Sequence, residues 1–398
     1  MKIGIYGGTF NPIHMGHMQA AKFAAEYLAL DKLILIPAGI PPHKTLAENS
    51  ANNDQRLEMT RLAARSMDLE GRVEVSDMEL KREGKSYTVD TMAELHRKYP
   101  DAKLYLFMGT DMFLSFQTWY QPQEIADLCT LCAFGRTEAD SEELFAVQRQ
   151  YLAEKFHAEC VTITLPRIVD ISSTQLRAAL EEGRGRDYLD PAVYGYILRE
   201  RLYGTKADLK QLPLDELRCV VMTMLKQRRI PHVLGTEETA AKLALRWGAD
   251  EEEARRAALL HDCTKYFSVE QHGDILRQYE VELDDEERQT EKLLHAPTGA
   301  AVAKHIFGVS NTVESAIRWH TTGKPDMTLL EKIIYLADYI EPTRDFCDLT
   351  ELRRLAFEDL DRALLLGFTM AVTDLAKKGM PLHPNSVRAR DYLKGKLS

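Results

Sequence analysis

The chain has 398 residues, 45% of them hydrophobic and 28% charged, a composition that suits a folded protein of two or three domains. Its net charge of -10 argues against nucleic acid as the main partner, which needs a basic footprint, but still permits nucleotides held by a few cations and helix N-termini. There is no run of about 18 apolar residues, and Met1–Ile5 enters a strand pattern without a signal-peptide core, so a cytoplasmic protein without a membrane partner is expected.

Strands are predicted at Lys2–Tyr6, Lys32–Pro37, Arg72–Ser76, Lys103–Met108, Thr130–Phe134 and Val161–Leu165. Helices are predicted between them, at Met18–Ala29, Gln55–Met67 and Val89–Tyr99, with Leu189–Leu202 as a closing helix. Such alternation implies an α/β domain, a parallel sheet with helices on both faces. After Tyr203-Gly204 the strand patterns cease. Amphipathic helices follow at Asp215–Gln227, Gly235–Trp247, Glu251–His261, Thr312–His320 and Leu329–Ile340, the pattern of an all-α domain. The expected division is 1–203, a linker at 204–212, and 213–398. The acidic runs Asp250–Glu253 and Asp284–Glu287 sit where helices should begin, which the helix dipole favours. Cys129 and Cys132 fall three apart in a strand-like run, so they should point to opposite faces as packed thiols rather than chelate one metal.

The densest chemical signal follows the first strand: Gly7-Gly8-Thr9-Phe10-Asn11-Pro12-Ile13-His14-Met15-Gly16-His17. Glycines let backbone amides approach a phosphate, and the following helix offers about half a positive charge at its N-terminus. His14 and His17, three apart, face the same way on the first turn, and Gly16 leaves room between them. A lone loop histidine is more often structural; this grouping suits a polyphosphate. Ile171-Ser172-Ser173-Thr174-Gln175-Leu176-Arg177 opens a later helix and supplies hydroxyls, amides and a guanidinium. By itself it could be a helix cap with a surface arginine. The two runs together resemble the signatures of the nucleotidylyltransferase superfamily, which implies a Rossmann-like domain.

Three further patches are Pro41-Pro42-His43-Lys44, Gly109-Thr110-Asp111 with Phe116–Tyr120, and Ser86–Thr91. All but the last lie just beyond a predicted strand end, where open α/β sheets bind ligands. With the signatures they resemble the bacterial nicotinate-nucleotide adenylyltransferases over residues 1–200. That resemblance implies a catalytic group of His14, His17, Lys44 and Arg177. It implies ATP contacts from Gly7, Gly8, Thr9, Phe10, Asp111, Ile171, Ser173 and Thr174 as well. It implies nicotinate mononucleotide contacts from Lys44, Tyr87, Thr88, Trp119 and Arg136, with Mg²⁺ accompanying the reaction. Trp119 could equally be a core tryptophan and Thr88 a helix cap.

In the helical half, His232, the doublet His261-Asp262, His295, His320 and Asp338 recur at or near predicted helix ends. Asp338 lies in the otherwise apolar Ile334–Asp338, where a carboxylate must be paired, hydrogen-bonded or metal-bound. The ordered set resembles the HD-domain metal-dependent phosphohydrolases, in which these six residues would bind two divalent ions, Fe or Mn, with Asp262 as catalytic bridge. Trp319–Lys324 and Tyr335–Pro342 resemble the bacterial branch that hydrolyses diadenosine tetraphosphate symmetrically. Ala296-Pro297 departs from the glycine expected after His295. Lys265 and Arg344 are candidate phosphate contacts or plain surface cations. The partners implied are ATP, nicotinate mononucleotide and diadenosine tetraphosphate, and a homo-oligomer is compatible with the sequence. Two rival readings make the helical half a hydrolase of another nucleotide, or a metal-bound regulatory or dimerisation module; the intact ligand set disfavours the latter.

Overall fold

The computed structural model describes residues 1–39, 49–67, 69–135, 142–165, 169, 171–345 and 348–398, and the chain divides into two compact units, Met1–Lys206 and Ala207–Ser398.

The first unit is built on six strands: β1 (Lys2–Gly8), β2 (Lys32–Pro37), β3 (Val73–Val75), β4 (Lys103–Gly109), β5 (Thr130–Gly135) and β6 (Cys160–Thr164). All pair in parallel, in the order β3-β2-β1-β4-β5-β6. β1, β2, β4 and β5 carry unbroken buried runs, because helices cover both faces of the sheet. The edge strands β3 and β6 are shorter and half-buried. β3 keeps only three of the five predicted residues, Val73–Val75, all paired with β2. The strand order reverses between β1 and β4, which opens a crevice beyond their C-terminal ends.

Local chemistry sets the helix boundaries. The helix Met15–Tyr27 begins earlier than its hydrophobic pattern, because His14 caps it, and it ends where Ala29 turns to φ 49°. Asn52 and Ser172 form capping boxes with Gln55 and Gln175, starting the helices Asn53–Ser66 and Ser173–Glu181. Asp190 caps the closing helix with Pro191 at its first position, so that helix is Pro191–Arg199, shorter than the predicted Leu189–Leu202. Cys129 precedes β5 and Cys132 lies within it; both are free and buried, and burial pushes each thiol up to about 12.

The second unit contains helices and no strand among the described residues. The helix Ile230–Trp247 packs against Glu251–Leu260 and Leu329–Ile340. Buried alanines on facing surfaces, Ala240, Ala241 and Ala244 against Ala254, Ala257 and Ala258, allow close approach. Asp250 and Asp284 accept the Glu253 and Glu287 amides at 2.8 and 2.9 Å, so both acidic runs do start helices. Buried Glu237 is paired by Arg218 and by Arg255. The predicted helix Asp215–Gln227 stops at Met222. No helix among the described residues is long and apolar enough to cross a membrane.

Candidate functional site

A cavity of about 660 Å³ opens at the switch point of the first unit's sheet. Gly7, Gly8, Thr9, Phe10, His17, Ser173, Thr174 and Arg177 line it, as do Tyr87, Thr88 and Trp119. His14, Asp111 and Ile171 do not line it, although the His14 ring lies 3.8 Å from that of His17. Lys44 and Arg136 lie outside the described residues.

The His14 amide donates to His17 Nδ1 at 3.3 Å, which places the proton of a neutral His17 ring on Nε2. A Cβ on Gly16 would come to 3.0 Å from the Val169 carbonyl and 3.1 Å from the His14 ring, a tight fit that favours glycine between the histidines. The two signature runs are stitched together. Arg177 Nη1 donates to the Asn11 carbonyl at 2.8 Å, and Ser173 Oγ to that of Pro12 at 3.4 Å. At the aromatic end, Tyr87 and Tyr120 approach to 4.6 Å between centroids, and Trp119 packs on Phe116 at 5.4 Å.

Arg56, Tyr203 and Glu79 support or line this cavity without a signal in the sequence. Arg56 is fully buried and donates from Nη1 to the Thr9 carbonyl and from Nη2 to Asn53 Oδ1, both at 2.7 Å. Asn11 Oδ1 accepts the Tyr203 hydroxyl at 2.8 Å, across 192 residues of chain. Glu79 is buried in the cavity wall, accepting from Thr91 Oγ1 at 2.7 Å and from the Gly39 amide. Burial raises its carboxyl above the usual range, outweighing those hydrogen bonds.

The second unit gathers all six predicted ligands. His232, His261 and Asp262 form one group, His261, His320 and Asp338 a second, and Asp262, His295 and His320 a third; within each, the donor atoms lie within 4.8 Å of one another. His232 lies in the first turn of its helix, His261 and His320 cap helix C-termini, and His295 opens one. Every one of these rings directs Nδ1 at an oxygen acceptor. For His261, His295 and His320 it is the carbonyl three residues back, Ala258, Lys292 and Ile317, at 2.5, 2.8 and 2.7 Å. For His232 it is Glu341 Oε1 at 2.9 Å. Carbonyls and carboxylates only accept, so Nδ1 carries a proton, and in the neutral ring Nε2 keeps its lone pair.

The Nε2 atoms of His232 and His261 are buried without a hydrogen bond, and His232 Nε2 lies 3.0 Å from Asp338 Oδ1 without hydrogen-bond geometry. Asp262 Oδ2 faces His261 at 3.4 Å, while its Oδ1 faces His295 at 3.4 Å and His320 at 3.8 Å. A carboxylate with one oxygen on each side and imidazole lone pairs around it fits a pair of divalent cations. Burial opposes ionisation of Asp262, but His261 and Lys265 hold it well below the usual range. Asp338 is held down likewise, against burial, by His232, His261 and Arg344. Burial, with Lys265 next, lowers His295 to about 4, and burial lowers His320 as well, which keeps both rings neutral.

Lys265 Nζ reaches Asp262 Oδ1 at 3.0 Å, and Arg344 Nη2 reaches Asp338 Oδ1 at 2.6 Å. Arg229, unmarked in the sequence reading, donates from Nε to Asp262 Oδ2 at 2.6 Å. It stands three residues before His232, a helical spacing that could have flagged it.

Comparisons with known proteins divide the same way. The cytidylyltransferase-like family model matches residues 5–179, and the HD domain model matches residues 229–343. A probable nicotinate-nucleotide adenylyltransferase of Carboxydothermus hydrogenoformans is 37% identical over 203 residues, covering 51% of this chain and 98% of its own length. One from Desulfitobacterium hafniense strain Y51 is 39% identical over 204 residues, covering 51% and 95%. Among solved structures, a predicted HD superfamily hydrolase involved in NAD metabolism from Clostridium acetobutylicum is 42% identical, covering 47% of this chain and 99% of its own, with a TM-score of 0.45.

Proposed function

Since the chain belongs over its first half to the nicotinate-nucleotide adenylyltransferases, and carries an HD domain in its second, we propose that it is a bifunctional enzyme of pyridine dinucleotide synthesis and nucleotide hydrolysis. The first unit, proposed as the domain 1–203, transfers AMP from ATP to nicotinate mononucleotide. A phosphate oxygen of the mononucleotide bonds to the α-phosphorus, the bond from that phosphorus to the bridging oxygen of the β-phosphate breaks, and pyrophosphate leaves with deamido-NAD as product. The observation that carries this reading is the cavity itself, whose lining joins the glycine–histidine loop and the Ser173–Arg177 run to Tyr87, Thr88 and Trp119.

Its residues divide the work. The Gly7-Gly8-Thr9-Phe10 loop brings backbone amides to the triphosphate, while His17 Nε2–H, Ser173, Thr174 and Arg177 meet its oxygens as charge develops. His14 supports His17 through the contact of their tilted rings, Lys44 adds a cation, and Asp111 and Ile171 flank the adenylate. Trp119, Tyr87 and Thr88 hold the pyridine ring, and Arg136 its phosphate. Mg²⁺ would enter with ATP and supply positive charge to the triphosphate. Catalysis is positioning and electrostatics, with no covalent enzyme intermediate.

The second unit, proposed as the domain 213–398, hydrolyses diadenosine tetraphosphate to two ADP. His232, His261, Asp262, His295, His320 and Asp338 would hold two divalent cations, iron or manganese, which supply Lewis acidity toward water and phosphoryl oxygens. Lys265, Arg344 and Arg229 face the two carboxylates, and would be the cations nearest a polyphosphate bound at this site. The convergence of imidazole lone pairs on Asp262 carries this reading. The test is incubation with Mn²⁺ and diadenosine tetraphosphate, products resolved by chromatography. ADP as sole product, abolished by Asp262→Ala, is expected. No turnover with metal bound would exclude this substrate and favour another nucleotide or a regulatory module, leaving the transferase reading intact.

A further inference from the structure

His232 is held unlike the other three histidines. Their Nδ1–H groups meet neutral backbone carbonyls; His232 meets a carboxylate, Glu341 Oε1, at 2.9 Å. Glu341 is fully buried, a costly place for a carboxylate unless it is fully engaged. It is engaged: Oε1 also accepts the Thr343 hydroxyl at 2.6 Å, and Oε2 the Thr343 amide at 2.7 Å. Asp338 and Glu341 lie three apart at the end of the helix Leu329–Ile340, so one helix end presents carboxylates to both nitrogens of a single ring, Asp338 to Nε2 and Glu341 to Nδ1. Space for this is reserved by Gly235, where a Cβ would stand 2.6 Å from Glu341 Oε2.

We infer that Glu341 is a positioning residue of the HD metal site, completing a carboxylate–histidine–metal relay through His232. The carboxylate locks the Nδ1–H tautomer, fixes the ring's orientation and pushes electron density toward Nε2, so that His232 becomes the most strongly donating imidazole of the set. The inference rests on the metal-site reading above, and metal affinity, rather than turnover, tests the two apart.

The full-length protein, stripped of metal, is titrated with Mn²⁺ while free Mn²⁺ is followed by electron paramagnetic resonance. Glu341→Ala should weaken the site that contains His232 by about 10–100-fold, the usual effect of removing such a partner. Glu341→Gln, whose amide oxygen can still accept Nδ1–H but without charge, should retain part of the affinity. Gly235→Ala should weaken it too, by displacing an intact Glu341, although alanine is the better helix former. Melting of the apo variants separates lost ligation from lost fold, and if Glu341→Ala does not fold, the other two variants carry the test. Wild-type affinity in Glu341→Gln and Gly235→Ala would overturn the inference and leave the metal site standing. Absence of Mn²⁺ binding by the wild type would overturn both.

Discussion

Arg56→Met tests how the nucleotide loop is held. Methionine keeps most of the length of the side chain but donates nothing. The change removes two charge-assisted hydrogen bonds, to Thr9 and to Asn53. At about 1.5–3 kcal/mol each, their loss destabilises by roughly 3–6 kcal/mol. Against this, Arg56 Nε is buried without a partner and burial lowers the guanidinium's pKa, so relief of that desolvation returns about 1–3 kcal/mol. At the centres of these ranges the hydrogen bonds win by about 2–3 kcal/mol, with the half-buried Thr9 carbonyl left unanchored. For a unit of this size that lowers Tm by roughly 5–10 °C. Because Thr9 belongs to the proposed phosphate loop, kcat/KM for adenylyl transfer should fall by about 10–100-fold. Calorimetry and pyrophosphate release measure the two effects, and Mn²⁺ affinity of the second unit serves as internal control. A Tm unchanged or raised, with normal transfer, would refute the ranking of hydrogen bonds over desolvation.

Two further outcomes are expected. Trp119→Ala should raise KM for nicotinate mononucleotide by roughly 5- to 150-fold, the equivalent of about 1–3 kcal/mol of ring stacking, with KM for ATP little changed and Trp119→Phe intermediate; steady-state kinetics with each substrate varied would show it. Glu79→Gln should become progressively more stable relative to the wild type as pH rises from about 4.3, the ordinary glutamate value. Burial raises the folded-state pKa of Glu79, so the folded protein binds its proton more tightly than the unfolded chain does, and the wild type loses stability as pH climbs through that range. Any constant offset from changed hydrogen bonds is independent of pH, and parallel stability–pH curves for the two proteins would refute the account.

Legibility in the sequence followed the range of the interaction. The glycine–histidine loop and the Ser173–Arg177 run announce themselves because a helix start and its phosphate-facing groups are local in the chain. The metal ligands are far apart in sequence, yet each sits at a helix end whose boundary can be read. The partners of these residues are less visible. Arg56 looks like one cation among many on an amphipathic helix, and nothing local says that its face meets the Thr9 carbonyl. Glu79 reads as loop until Gly39 and Thr91 close around it. Glu341 follows Asp338 by three residues, but its role appears only when the helix Ile230–Trp247 brings His232 and Gly235 against it. The Asp111 and Ile171 contacts follow from the family resemblance, and neither residue lines the cavity.

The hydroxyl of Tyr203, bonded to Asn11 beside the nucleotide loop, bears on where this chain can be cut. Tyr203 lies beyond the last long helix of the first unit, in a stretch that a domain dissection would trim as spare connector. A fragment ending at Arg199 would keep every strand and every signature residue, and would still strip Asn11 of the group that steadies its side chain. Vectors for the separate halves should therefore break the chain after Lys206, so that a weak isolated transferase is not mistaken for one that depends on its neighbour.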